Sequence, residues 1–319
     1  MTDAKVPDPV DALRKHVATG EESKHAGIAL ENSPFLPSAL SLEDAPADAS
    51  FKAIFKNADG EPKLFLLCSN SLNPDLIARN VAKAREAKEL LGVPLGDTIQ
   101  MPLKEDRFEG LTWALFTLNQ PLSNDPWRWR WEKARLAWPV TAWLTNVVRK
   151  SKRPIPEHDL AQTAIAPLNA FAENEGFAMD FRKRANLAIK RIESGSWQPQ
   201  TILAHNDLWK GNVMLPGPND PGNNATKFTI IDWAGSSTRG FAFFDLIKLA
   251  RSFKFPGLFT KQIIRKQCAI LECAEKDIMG YLLAALGALG MNLENFPPHI
   301  YVQMATECLE DLHRIIGGS

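Results

Sequence analysis

Ala204-His205-Asn206-Asp207-Leu208-Trp209-Lys210-Gly211-Asn212 is the stretch on which the fold turns. Its spacing is H-x-D-x-x-x-x-N, with Asp207 and Asn212 five residues apart and a glycine directly before the second. A carboxylate within hydrogen-bond reach of an attacking hydroxyl can orient it and receive its proton. A carboxamide further along can turn its oxygen towards a hard cation, and Gly211 lets the backbone bend between the two. His205 reads as a residue that fixes the loop geometry.

Outward from that loop, the sequence continues the same chemistry. Phe228-Thr229-Ile230-Ile231-Asp232-Trp233 is an apolar strand that delivers a carboxylate at its end. Residues 212–215 and 227–231 read as a hairpin around 216–224, a loop saturated with Pro, Gly, Asn and Asp. Asn212 and Asp232 together offer oxygen ligands suited to one or two Mg²⁺ ions. A third acid, Asp245 in Gly240-Phe241-Ala242-Phe243-Phe244-Asp245-Leu246, is flanked by aromatics at a helix start and reads as a structural brace for the loop.

The rest of the chain divides by pattern. Residues 1–35 are polar and irregular apart from a weak helical pattern at 10–17; a short run at 36–42 and a turn-rich stretch at 43–50 follow. Strands are expected at 51–55 and 64–68 around a turn at 57–61, a helix at 74–91, and strand-like runs at 100–101 and 111–118. Helices are expected at 127–148, 158–172, 177–194 and from 244 onward. The fold class is therefore α+β and two-lobed, with a small β-rich lobe over 1–118 and a larger, mainly helical lobe over 119–319.

Composition excludes more than it names. The 319 residues carry 37 Lys+Arg and 37 Asp+Glu, so no excess of cations exists to grip nucleic acid or an anionic membrane wholesale, and neither partner is expected. That balance leaves room for a local basic cleft. The longest apolar stretch, near 281–291, is too short to span a bilayer of about 30 Å as a helix. The start of the chain has no apolar core of the signal-peptide kind. Cys68, Cys268, Cys273 and Cys308 show no metal-ligand spacing, and Cys268 and Cys273 read as core-facing thiols; a reducing, cytoplasmic setting fits. Trp127, Trp131 and Trp138 share one helical face and read as helix packing rather than a base-stacking array, while Arg149–Arg153 reads as a solvated helix end.

Taken together, His205–Asn212, Ile231-Asp232-Trp233 and Gly240…Asp245-Leu246 resemble the aminoglycoside phosphotransferase and choline kinase group of the protein-kinase-like fold. The form His205-Asn206-Asp207-Leu208 is similar to that of choline kinases in particular. The resemblance covers most of the chain, with the first forty residues and final helices matched loosely. It implies ATP, Mg²⁺ and transfer of the γ-phosphoryl group to a small-molecule hydroxyl. It also implies Asp207 as catalytic base, Asn212 and Asp232 as metal ligands, and His205 and Asp245 as supports.

The small lobe departs from the pattern. Such kinases hold the α/β-phosphates with a strand lysine paired to a helix glutamate. Glu86 stands where that glutamate belongs, yet Leu67 occupies the lysine position, and Lys52, Lys56 and Lys63 are the candidate substitutes. The turn at 45–50 lacks glycine; Ser50 could offer its hydroxyl and amide to phosphate. A hinge after Trp113–Leu118 would meet adenine, with Trp209 and Trp233 either pocket walls or packing. Late acids (Glu272, Glu275, Asp277, Glu307, Glu310, Asp311) read either as a receptor for a cationic acceptor or as solvated faces. The alternative is a pseudokinase or regulatory nucleotide-binding module without turnover. A protein kinase is disfavoured because Gly240 and Asp245 follow Asp232 with no room for an activation segment.

Overall fold

The computed structural model describes residues 13, 15–17, 28–29, 50–57, 59–216, 227–293 and 296–317. The run at 36–42, the turn at 45–49 and the hairpin loop at 217–224 lie outside the described residues. What is described falls into two compact units. The first comprises the described residues up to Ala82 together with Gln100–Gln120. The second comprises Lys83–Ile99, Pro121–Leu215 and the described residues from Lys227 on.

The first unit is a five-stranded antiparallel sheet in the order β1-β2-β3-β5-β4. Its strands are β1 (Ile28–Ala29), β2 (Phe51–Asn57), β3 (Pro62–Cys68), β4 (Lys104–Phe108) and β5 (Leu111–Thr117), and the two-residue β6 (Gln120–Pro121) follows them in the chain. Alternation along β3 sends Leu64, Leu66 and Cys68 to one face, where they pack with Phe51, Phe55, Trp113, Leu115 and the helical residues Leu13 and Val17. Burial pushes the Cys68 thiol up to about 11, which leaves it protonated and inert. On the opposite face, Leu67, Phe116 and Met101 pack against Ile77, Val81 and Ala114. The two helical residues of that cluster come from α1 (Leu76–Leu91), whose residues from Lys83 on belong to the second unit. The expected strand at 100–101 is absent. The strand lies instead at Lys104–Phe108, and its mostly charged, exposed side chains conceal it from a hydrophobic reading, as befits a sheet edge.

The second unit is mainly helical: α2 (Pro126–Ser151), α3 (Ala166–Glu173), α4 (Met179–Glu193), α5 (Phe244–Phe253), α6 (Gly257–Leu271), α7 (Ile278–Gly290) and α8 (Pro298–Gly317). Asp125 caps α2 by accepting from the amides of Trp127 and Arg128, and Pro126 occupies the first turn where no amide is needed. The helix expected at 158–172 is broken. A tight turn at Glu157–Asp159 and a wide π-helical turn at Ala161–Ile165 precede α3, because Pro167 has no amide to continue an α-helical ladder. Helix α7 is buried along its first ten residues, Ile278–Gly287. Its Tyr281 hydroxyl accepts from the Gln200 amide at 3.0 Å. Cys268 and Cys273 are half-buried and share a hydrogen bond, rather than facing the core. Among the described residues no helix is long and apolar enough to cross a membrane.

Two short sheets complete the unit. One has the order β11-β8-β7, from β7 (Arg153–Pro154), β8 (Gln200–Ala204) and β11 (Ser237–Gly240). The other pairs β9 (Val213–Leu215) with β10 (Thr229–Ile230), the hairpin expected from the sequence. Helices α3 and α7 meet at a glycine: a Cβ on Gly287 would lie 1.9 Å from the Pro167 carbonyl oxygen. Gly287→Ala should therefore destabilise the protein by about 1–3 kcal/mol or more, whereas Gly257→Ala, with nothing within 4 Å, should be neutral or stabilising by about 0.4–1 kcal/mol. Chemical denaturation of the two variants checks this, and equal effects would contradict the packing described.

Candidate active site

Strand β8 carries the chain to Ala204, and β11 runs beside it with Ser237 opposite Ala204 and Gly240 opposite Ile202. The approach is close enough to require glycine, since a Cβ on Gly240 would lie 2.4 Å from that of Ala204. Beyond β8, the loop 205–212 is held from three directions. The His205 amide donates to Asp245 Oδ2 at 2.7 Å. The His205 ring places Nε2 2.9 Å from the Ile231 carbonyl oxygen, so that nitrogen carries the proton and donates. Nδ1 is then the acceptor, and the Asp207 amide donates to it at 3.3 Å. His205 and Asp245 are both buried.

Two residues here adopt left-handed backbone without being glycine. Asn206 has φ +64° and Asp232 φ +61°, a conformation that Asn and Asp tolerate best among ordinary residues. Asn206 secures its turn by donating to the Gly235 carbonyl at 2.9 Å. Asp232 emerges at the end of the β10 segment, where the Ile231 amide donates to the Asn212 carbonyl at 3.1 Å. That bond ties the two proposed metal-bearing segments together.

Asn212 reaches back to Asp207. Its Nδ2 donates to the Asp207 carbonyl at 2.8 Å and to Asp207 Oδ2 at 3.0 Å. With the amide nitrogen so committed, the Asn212 side-chain oxygen is the atom left for a cation, and the exposed Asp232 carboxylate is a second oxygen donor. Among the described residues no three His, Cys, Asp or Glu gather into a metal cage. Mg²⁺ takes one or two carboxylates and completes its shell with water and other oxygen ligands, and the Asp232 carboxylate and Asn212 amide oxygen are donors of that kind. The donor set fits the ion.

Lys248 was not anticipated from the sequence. It sits one helical turn after Asp245 on α5 and pairs with Asp207 Oδ1. The signal was present in the spacing, because residues three apart on a helix share a face: any helix that aims Asp245 at the loop also aims residue 248. Trp209, 42% exposed, lies over Gly211, where a Cβ would meet its ring at 2.4 Å. Trp233 is packing, its ring 4.6 Å from that of His205.

No family model matches the chain, and no curated protein matches it by sequence. Solved structures do. A thermostable mutant of aminoglycoside phosphotransferase APH(4)-Ia, in its apo form, aligns with TM-score 0.50 over 96% of this chain and 98% of its own, at 14% identity. The fold is kinase-like. The GDP complex of an aminoglycoside 2'-phosphotransferase-IIIa mutant aligns with TM-score 0.49 at 13% identity, over 96% of this chain and 98% of that one. A choline/ethanolamine kinase family protein from Mesorhizobium loti aligns with TM-score 0.48 at 15% identity, over 97% of this chain and 98% of its own.

Within this kinase-like fold the expected lysine position is apolar. Leu67 packs into the cluster of Ile77 and Val81. Register distinguishes the three substitute lysines: Lys52 lies directly opposite Leu67 on β2, and directly opposed residues project to the same face. Lys63 is paired with Glu61 at 2.8 Å, and Lys56 lies opposite Pro62, beyond a register shift. Glu86 accepts from Thr238 Oγ1 at 3.2 Å, and Lys83, one turn earlier on α1, donates to the Ala234 carbonyl at 2.5 Å. Ser50 is half-buried and immediately precedes β2. At the expected hinge, the Thr117 carbonyl accepts from Gln100 at 2.7 Å and the Leu118 amide donates to the Lys63 carbonyl at 2.9 Å, so both groups are engaged. Four of the late acids are ion-paired: Glu272 with Lys152, Asp277 with Arg191, and Glu307 and Asp311 with Arg251.

Burial raises the Asp245 carboxyl above the ordinary carboxylate range, against the opposing pull of His205 and Lys248. A raised carboxyl binds its proton more tightly folded than unfolded. Its contribution to stability is therefore greatest below the unfolded pKa and is lost as pH rises through the folded one. Asp245→Asn keeps an acceptor for the His205 amide and removes the titration. The stability difference between wild type and this variant should shift in the variant's favour as pH rises out of the ordinary carboxylate range. Denaturation at a series of pH values measures it, and a flat or opposite dependence would contradict the assignment.

Proposed function

We propose that this chain is an ATP- and Mg²⁺-dependent phosphotransferase that moves the γ-phosphoryl group to a hydroxyl of a small molecule such as a sugar, an amino-sugar or an amino-alcohol. The observation that carries the reading is the bracing of Asp207: its amide is held by His205, one carboxylate oxygen by Asn212 and the other by Lys248. A surface carboxylate has no need of three fixed partners; a general base that must meet a hydroxyl in one orientation does.

In the proposed reaction Asp207 orients the acceptor hydroxyl and takes its proton as that oxygen bonds to the γ-phosphorus and the γ-phosphorus bond to the bridging oxygen breaks, releasing ADP. Lys248 holds the carboxylate in place beforehand. Asn212 and Asp232 would hold Mg²⁺, which when bound supplies charge neutralisation on the nucleotide phosphates. Residues 1–118 would serve the nucleotide, with Ser50 and Glu86 among the contacts and Lys52 standing in for the lysine missing at Leu67, while 119–319 would serve the acceptor. The ion pairs of the late acids favour solvated faces over a receptor for a cationic acceptor.

A second reading, a nucleotide-binding module without turnover, is favoured by one observation, the apolar cluster at Leu67. Thermal shift separates both readings from failure: saturating ATP with Mg²⁺ should stabilise the protein by about 2.7 kcal/mol at a hundredfold excess over the dissociation constant. No shift would overturn both. A shift without phosphate transfer to any of a library of sugars, amino-alcohols and aminoglycosides would favour the module.

Four substitutions divide the roles. Asp207→Asn should lower kcat by about 10²–10⁴-fold with nucleotide affinity unchanged, and retained turnover would remove Asp207 from the role of base. Asp232→Asn should weaken nucleotide binding in Mg²⁺ and leave binding in EDTA as it was. Lys52→Ala should raise the KM for ATP more than Lys63→Ala does; the reverse order would reassign the phosphate contact.

A further inference from the structure

Helix α2 turns an aromatic face to solvent. Trp127, Arg130, Trp131, Ala134, Arg135 and Trp138 follow the spacing of a single helical stripe, and all six are exposed. The three indoles are 77%, 60% and 58% exposed. The expectation that they pack inward is wrong. The helix buries Glu132, Leu136 and Val140 instead, and Trp129 and Trp143 are the indoles that pack, against Phe253 and Phe228 respectively. Exposed apolar residues scattered singly are ordinary; three large ones on one stripe are not.

Each exposed indole carries a cation against it. The Arg130 guanidinium lies 5.3 Å from the Trp127 ring centroid, that of Arg135 lies 5.3 Å from Trp131, and the Lys266 ammonium of α6 lies 4.6 Å from Trp138. The surrounding charge is predominantly positive, with the cap Asp125 an exposed acid at the start of the helix. Helix α2 holds six Arg and Lys against one acid, and that acid, Glu132, is buried and held by Arg128 and the Ser123 amide. Helix α6 contributes the exposed Arg265 and Lys266 with no acid.

We infer that this stripe is a docking surface for an anionic phospholipid bilayer, with the first three turns of α2 lying along the membrane plane. Indoles settle at the boundary between headgroups and acyl chains. Long basic side chains keep their charge at the phosphates while their stems lie along the rings, the pairing already formed at all three tryptophans. Electrostatic complementarity selects an anionic leaflet. Single-stranded nucleic acid fits less well. Stacking needs ring faces at the spacing of successive bases, whereas Trp131 and Trp138 stand about 10.5 Å apart along the axis. A second copy of the chain would bring two patches of the same sign together.

Vesicle co-sedimentation of the full chain tests this, using phosphatidylcholine alone and phosphatidylcholine with about one-third phosphatidylglycerol. The chain should sediment with the anionic vesicles, bind them about tenfold or more tightly than neutral ones, lose that preference in high salt, and show a blue shift of tryptophan emission on binding. Trp127→Ala/Trp131→Ala/Trp138→Ala and, separately, Arg130→Gln/Arg135→Gln should each weaken binding about tenfold or more with unchanged thermal midpoints, because every altered side chain is exposed. Absence of vesicle binding, equal binding to neutral vesicles, or variants that bind as wild type does would overturn the inference. So would tighter binding to a single-stranded oligonucleotide, or self-association abolished by the tryptophan substitutions. The readouts do not involve phosphotransfer and stand whether or not the proposed activity does.

Discussion

A single buried carboxylate governs the geometry of the second unit's loop. Asp245 is buried at the start of α5 and uses one oxygen to hold the His205 amide at 2.7 Å. Its other oxygen is buried without a hydrogen-bond partner. An ionised carboxylate in that state is costly, and such costs persist where the surrounding structure over-determines them. What the cost maintains is a sequence of dependent contacts. His205, fixed by Asp245, fixes the Ile231 carbonyl with one ring nitrogen and the Asp207 amide with the other. The tautomer is thereby determined, because one nitrogen must donate and the other accept. Two segments that are distant in sequence are brought into register by one imidazole.

That arrangement explains why Lys248 sits where it does. The turn of α5 that aims Asp245 at His205 aims Lys248 at Asp207. One short helix thus supplies both the anchor of the loop's backbone and the counter-charge of its carboxylate. A carboxylate held between a lysine and an asparagine amide keeps one orientation without being buried, which preserves its access to solvent and to an incoming hydroxyl.

The loop was legible in the sequence because its chemistry depends on local spacing. Asp207 and Asn212 are five residues apart on one turn, and the β9–β10 hairpin that brings Asp232 beside Asn212 is announced by its alternation and turn formers. The strand at Lys104–Phe108 was not legible, since an edge strand pays little hydrophobic tribute to the core and reads as charged loop. Neither was the break before α3, where a single proline changes the hydrogen-bond ladder without altering the apolar pattern. The misread tryptophans have a related cause. Helical periodicity identifies which residues share a face and is silent about whether that face meets a neighbour. Leu136 and Val140 mark the true inner face of α2, and the aromatic stripe merely outweighed them in hydrophobicity.

Charge follows the same logic of local against global. The chain sums to zero, yet the cations of α2 and α6 are concentrated along two packed helices, while many of the acids late in the chain are spent in pairs with Arg191, Arg251 and Lys152. A paired charge projects little field beyond a Debye length, about 8–10 Å at ordinary ionic strength. The exposed cations Arg130, Arg135 and Lys266 are therefore what an approaching anionic surface meets. Neutrality of the whole is compatible with strong polarity of a part, because the compensating acids lie elsewhere in the chain.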